Sequence, residues 1–139
     1  MQAIELQADD GARIVARLFP ATAAPHATVL IASAMGVKQD FYADFAAWLA
    51  RQGYTALTFD YRGMGASRPS SMRHSLRGFD ADLFDWASDV DTAIEHLLRA
   101  APGAPLYIVG PSLGAQLPGL LKHRDRIGGL VSVAAGSGY

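Results

Sequence analysis

Two alternating segments open the chain. In residues 2–7 polar and apolar side chains take turns, and residues 13–19 follow after the turn signal Asp9-Asp10-Gly11. Period-two alternation on both sides of a turn predicts an antiparallel hairpin at a sheet edge, each strand burying one face. Residues 20–25, rich in Ala, Thr and Pro, read as a loop.

The pattern then changes. Ala27 to Ala32 is an unbroken apolar run, which a strand buried on both faces requires and which parallel sheets supply. Phe41, Phe45, Trp48, Leu49 and Gln52 recur at helical spacing around residues 39–51, and Gly53 is a natural stop. Thr55 to Phe59 reads as another buried strand, and residues 61–79, rich in Gly, Ser, Arg and Pro, as a long loop. Phe84 to Arg99 carries Ala87, Val90, Ile94, Leu97 and Leu98 on one helical side. Pro105 to Val109 is a buried strand, and Leu113 to Lys122 a helix that Pro118 and Gly119 should kink or shorten. Leu130 to Ala135 is a last strand. Strands alternating with helices mean βαβ units and an α/β fold with a parallel sheet. No repeat or linker divides the chain, so residues 1–139 are read as a single domain.

Composition narrows the function classes. Half the residues are hydrophobic, 18% are charged and the formal net charge is −1, a globular balance that gives no reason to expect nucleic acid or an anionic membrane as partner. With no cysteine, disulfides and thiolate metal sites are excluded. The first ten residues lack the basic, apolar, small-residue progression of a signal peptide, and no apolar stretch is long enough to span a bilayer. The expected location is therefore the cytoplasm.

One segment carries chemistry: Gly110-Pro111-Ser112-Leu113-Gly114, between a buried strand and a helix. Alone, the string suits a helix cap as well as a nucleophile, since Ser is a favoured N-cap and Gly and Pro mark turns. In its strand-to-helix setting it points to the nucleophile. A turn that sharp strains the serine backbone, and side chains two positions either side would collide, hence Gly110 and Gly114. The hydroxyl is lifted above the sheet, near backbone N–H groups that favour developing negative charge.

With two further stretches, the chain resembles the α/β-hydrolase superfamily, in particular bacterial serine hydrolases and esterase-like proteins. These are Ala32-Ser33-Ala34-Met35-Gly36 after the third strand and Phe59-Asp60-Tyr61-Arg62-Gly63-Met64-Gly65-Ala66-Ser67 after the fourth. The likeness covers nearly the whole chain. It implies strand order 1-2-4-3-5-6 with strand 2 antiparallel, Ser112 as nucleophile, and the backbone N–H groups of Met35 and Leu113 as oxyanion donors. For Met35 the competing reading is plain core packing. Asp60, Arg62, Gly63 and Gly65 resemble the family's structural turn and are expected to hold loops. No metal or organic cofactor is implied.

The sequence departs from the family in three places. Ser33-Ala34 stands where many relatives have His-Gly, Pro111 removes a backbone donor beside the serine, and the triad's later acid and histidine would lie past Tyr139. His26, His74, His96 and His123 read as solvated surface residues, with His74 the least remote substitute base. Asp80, Asp82, Asp85, Asp89 and Asp91 read as helix-dipole and surface charges. The last strand would be an exposed apolar edge that invites self-association.

The leading expectation is a parent serine hydrolase acting on an ester, thioester or amide of a small molecule, of which residues 1–139 are an incomplete, nearly inactive domain. The alternatives are a non-catalytic α/β-hydrolase-like binding protein or an inactive fragment.

Overall fold

The hairpin forms where alternation places it. In the computed structural model, which describes residues 1–137, β1 (Gln2–Gln7) pairs antiparallel with β2 (Arg13–Phe19). The apolar runs become β3 (Ala27–Ile31), β4 (Tyr54–Phe59) and β5 (Leu106–Pro111), and β6 (Gly129–Val133) is the last described strand. The expected boundary residue Tyr139 lies outside the described residues.

One six-stranded sheet results, in the order β1-β2-β4-β3-β5-β6. β2 runs antiparallel to β1 and β4, and the β4-β3-β5-β6 block is parallel. The order and the odd strand are those the resemblance implies.

Alternate residues of the central strands divide the core between the faces. Leu30, Leu57, Phe59, Leu106 and Ile108 pack against α2 (Leu83–Ala100) and α3 (Leu113–Gln116). Val29, Ile31 and Ala56 pack on the opposite face against Ala46 and Leu49 of α1 (Ala43–Arg51). β3 is buried throughout, as its continuous apolar run requires.

Local signals set the helix ends. α2 begins at a capping box in which Asp82 accepts from the N–H of Asp85 while Asp85 accepts from that of Asp82. Pro118 ends regular α geometry: α3 closes at Gln116 and a single 3₁₀ turn, Pro118–Leu120, follows. The expected helix to Lys122 is thus shortened at the proline. The stretch before α1 is a 3₁₀ turn, Gln39–Tyr42, and the long loop after β4 holds two more, Gly65–Ser67 and Ser70–Met72.

The aromatic stripe of residues 41–49 is not a buried face. Ala46 and Leu49 enter the core, while Phe41, Phe45 and Trp48 remain exposed along the flank of α1. β6 is exposed at Leu130, Val131 and Val133.

Candidate active site

β5 delivers Ser112 to the carboxyl edge of the parallel block, and α3 starts at the next residue. Ser112 has φ 49° and ψ −109°, a region that L-residues seldom occupy and that costs about 1–3 kcal/mol to hold. It stands at the N-cap position, yet its side chain makes no capping hydrogen bond. Its N–H donates to the carbonyl of Val133 on β6 at 2.9 Å, and its carbonyl accepts from Ala115 N–H at 3.0 Å.

The flanking glycines are explained by space. A Cβ at Gly110 would lie 2.5 Å from the carbonyl carbon of Gly114, and one at Gly114 would lie 2.8 Å from that of Ala32. Strand β5, helix α3 and the loop after β3 therefore meet backbone to backbone. Pro111 fits without losing a rung: the β3–β5 register closes at Ile31↔Val109, and on the other side Pro111 pairs with Val133. Ser112 supplies the next donor to β6.

The loop after β3 lies beside this turn. Ser33 is buried, and its hydroxyl donates to the Phe59 carbonyl at 3.4 Å. Its carbonyl accepts from the Tyr61 hydroxyl at 3.0 Å, and Ala34 N–H donates to the Tyr42 hydroxyl oxygen at 3.2 Å. Val37 N–H closes a turn on the Ala34 carbonyl at 3.2 Å, with Gly36 at φ 75°. The Met35 side chain is 53% exposed, so core packing does not account for it. Among the described residues neither Met35 N–H nor Leu113 N–H has a hydrogen-bond acceptor.

Ser112 and Ala34 both line a cavity of about 910 Å³. Its walls are Val29, Ile31, Val109, Val131 and Val133 from the sheet, with Tyr42, Phe45 and Trp48 from the flank of α1. The lining is nearly all apolar. Ala134, at φ 50°, turns the chain at the end of β6 and lines the same cavity.

Two buried polar clusters hold the neighbouring loops. Asp60 accepts from Gln39 N–H at 2.8 Å, Gln39 Nε2 at 3.0 Å and Ala66 N–H at 3.0 Å, while Gln39 Oε1 accepts from Thr58. A Cβ at Gly65 would strike the Asp60 carboxylate. Arg62 is 8% exposed and meets Asp89, which is fully buried, as well as Asp10 and Asp85 nearer the surface. Burial alone would lower the Arg62 pKa, but hydrogen bonds to Asp89 and Asp10 outweigh it and the pKa is raised. The hydrogen bond from Arg62 holds the Asp10 carboxyl below its ordinary range. Asp60, Arg62 and Gly65 thus hold loops.

The expectation of surface roles for all five aspartates needs correcting. Asp82 and Asp85 cap α2, but Asp89 and Asp91 are buried. Asp91 accepts from Lys122 N–H at 2.9 Å and His123 N–H at 3.1 Å, satisfying donors of the segment after the 3₁₀ turn.

The histidines are also less uniform than expected. His123 Nε2 lies 3.0 Å from Glu95, His26 stacks edge-on against Tyr54, and His74 is exposed in the long loop. His96 is half-buried, and its Nε2 has no partner among the described residues. None of the four hydrogen-bonds to Ser112 among the described residues. No group of three or more His, Cys, Asp or Glu there could hold a metal, and no described helix is long and apolar enough to cross a membrane.

Residues 23–138 match the protein family described as serine aminopeptidase, S33. No curated protein matches the chain. Among solved structures, a thermostable carboxyl esterase from Bacillus coagulans is similar at TM-score 0.80 and 19% identity, over 94% of this chain and 43% of that one. A lidless α/β serine hydrolase from Xanthomonas campestris is similar at TM-score 0.75 and 18% identity, over 99% and 62%. A soluble variant of monoglyceride lipase from Saccharomyces cerevisiae is similar at TM-score 0.74 and 26% identity, over 95% and 44%. The chain thus spans about half the length of the structures it resembles, and at such identities the first two likenesses are of fold.

Proposed function

The chain belongs to the serine aminopeptidase S33 family of α/β-hydrolases, and on that premise we propose that Ser112 is the nucleophile of a serine hydrolase. The substrate class is an ester, thioester or amide of a small molecule. The Ser112 hydroxyl attacks the carbonyl carbon, its proton passes to a base, and the N–H groups of Met35 and Leu113 receive the charge on the carbonyl oxygen. The leaving group departs with that proton, and water then releases the acyl group. An acid and a histidine from outside residues 1–139 complete the triad, so these residues alone turn over substrate scarcely or not at all.

One observation carries this reading: Ser112 holds φ 49° and lines a cavity, and its hydroxyl caps no helix. Strain kept at a residue whose side chain serves no structural purpose points to use of that side chain. A cytoplasmic location belongs to the same reading.

A fluorophosphonate probe tests it in a chain extended past Tyr139. Labelling should map to Ser112 and vanish in Ser112→Ala. A second reading, a ligand-binding protein on the same fold, is supported by the nearly all-apolar cavity of about 910 Å³ that Ser112 lines. A correctly folded extended chain that resists the probe would decide for the binder.

A further inference from the structure

We propose that Tyr42 and Tyr61 are the positioning residues of the Met35 oxyanion donor, because their two phenols hold opposite ends of a single peptide group. The inference rests on the serine-hydrolase reading above. The Ser33 carbonyl and the Ala34 N–H belong to one planar unit. Tyr61 donates to its oxygen at 3.0 Å, and its N–H donates to Tyr42 at 3.2 Å.

Anchoring both edges of a plane stops it from rotating about the line between its α-carbons. The following peptide is then determined in turn. Its carbonyl, on Ala34, is held by Val37 N–H at 3.2 Å, and its other end is Met35 N–H. Of the four polar groups in these two planes, Met35 N–H is the one with no partner among the described residues. Fixing the other three is a way of aiming the fourth. Preorganised donors are effective because they need not reorient as charge develops.

The two tyrosines come from different layers. Tyr61 is buried, with its ring edge-on to Phe59 at 4.9 Å, and burial pushes its pKa up, so it keeps the proton it donates. Tyr42 ends the 3₁₀ turn before α1, is half-buried and lines the same cavity as Ser112. No hydrogen bond of the Ser112 turn itself includes either residue, so the clamp serves the loop after β3.

The test uses the chain extended past Tyr139, with p-nitrophenyl butyrate as substrate, comparing wild type, Tyr42→Phe, Tyr61→Phe and Ser112→Ala. Removing an oxyanion donor outright costs about 10²–10³ in kcat, so loosening one should lower kcat about tenfold in Tyr42→Phe with KM unchanged. Thermal midpoint should hold in Tyr42→Phe, which keeps the ring; Tyr61→Phe repeats the kcat effect from the buried side. An unchanged kcat, or a loss confined to KM, in Tyr42→Phe overturns the proposal. If wild type and Ser112→Ala hydrolyse the ester equally, the serine reading fails, and amide exchange judges the clamp by itself. Ala34 N–H exchanging about tenfold faster in Tyr42→Phe would uphold it, and equal rates would overturn it.

Discussion

The carboxylate of Asp89 accepts three hydrogen bonds from Arg62: Nε and Nη2 reach Oδ1 at 2.9 and 2.8 Å, and the backbone N–H reaches Oδ2 at 2.8 Å. One aspartate of α2 thus holds both the side chain and the main chain of the loop after β4. Breaking a buried pair by deleting one partner costs about 3–5 kcal/mol, because the other charge stays desolvated. Asp89→Ala should lower stability by about that amount in urea unfolding. Asp10 is more exposed, and its replacement should cost about 1 kcal/mol or less. The pair Asp89→Leu with Arg62→Met should recover much of the loss, which a merely steric defect would not.

Gly110 and Gly114 make a second prediction. Overpacking costs about 1–3 kcal/mol, and here the obstructing atoms are backbone, which cannot swing aside. Gly114→Ala and Gly110→Ala should destabilise by at least about 2 kcal/mol and abolish probe labelling at Ser112. Gly119 is the control: nothing lies within 4 Å of a Cβ there, and Gly119→Ala should be neutral or stabilise by about 0.4–1 kcal/mol. Equal midpoints for Gly114→Ala and Gly119→Ala would contradict the packing account.

His96 gives a pH dependence. Burial, seconded by the charge of Arg99, lowers its pKa from the ordinary 6.5. The native state therefore favours the neutral ring, and below about pH 6.5 the unfolded chain takes up a proton that the folded one resists. Its contribution to stability is full above that pH and falls as the pH drops toward the native value. The urea midpoint of His96→Gln should vary less between pH 7 and about pH 5 than that of wild type. Parallel profiles would assign the acid sensitivity to other groups.

β6 offers a fourth. Val131 is 57% exposed on an edge strand whose outer hydrogen-bonding side has no neighbour among the described residues. Sedimentation of residues 1–139 should show concentration-dependent self-association, and Val131→Lys should shift the population toward monomer. A wild-type chain that stays monomeric at all concentrations would remove the edge from consideration.

Much of the fold was legible because the period of apolar residues reports burial directly. The unbroken Ala27–Ala32 run reads as a central strand, and the alternation of residues 2–7 as an edge. Pro118 truncates its helix for a local reason, the missing N–H, that needs no tertiary knowledge. The polar core was not legible. Asp89 and Asp91 sit among acids that look like a solvated helix face, and only the arrival of Arg62 and of the Lys122 and His123 amides makes their burial affordable. The aromatic stripe misled in the opposite sense. Phe41, Phe45 and Trp48 recur at helical spacing, yet they border a cavity because no described element packs over them. Tyr42 lies in no motif, and the stretch that contains Tyr61 assigns it no role; their relation exists only once β4 and the turn before α1 flank the same loop.

The bond from Ser112 N–H to the Val133 carbonyl has a bearing on biosynthesis. β5 and both flanking glycines leave the ribosome first, and the acceptor that holds the serine backbone follows only with the last strand. A chain interrupted before Val133 would carry the serine without the acceptor of its backbone N–H.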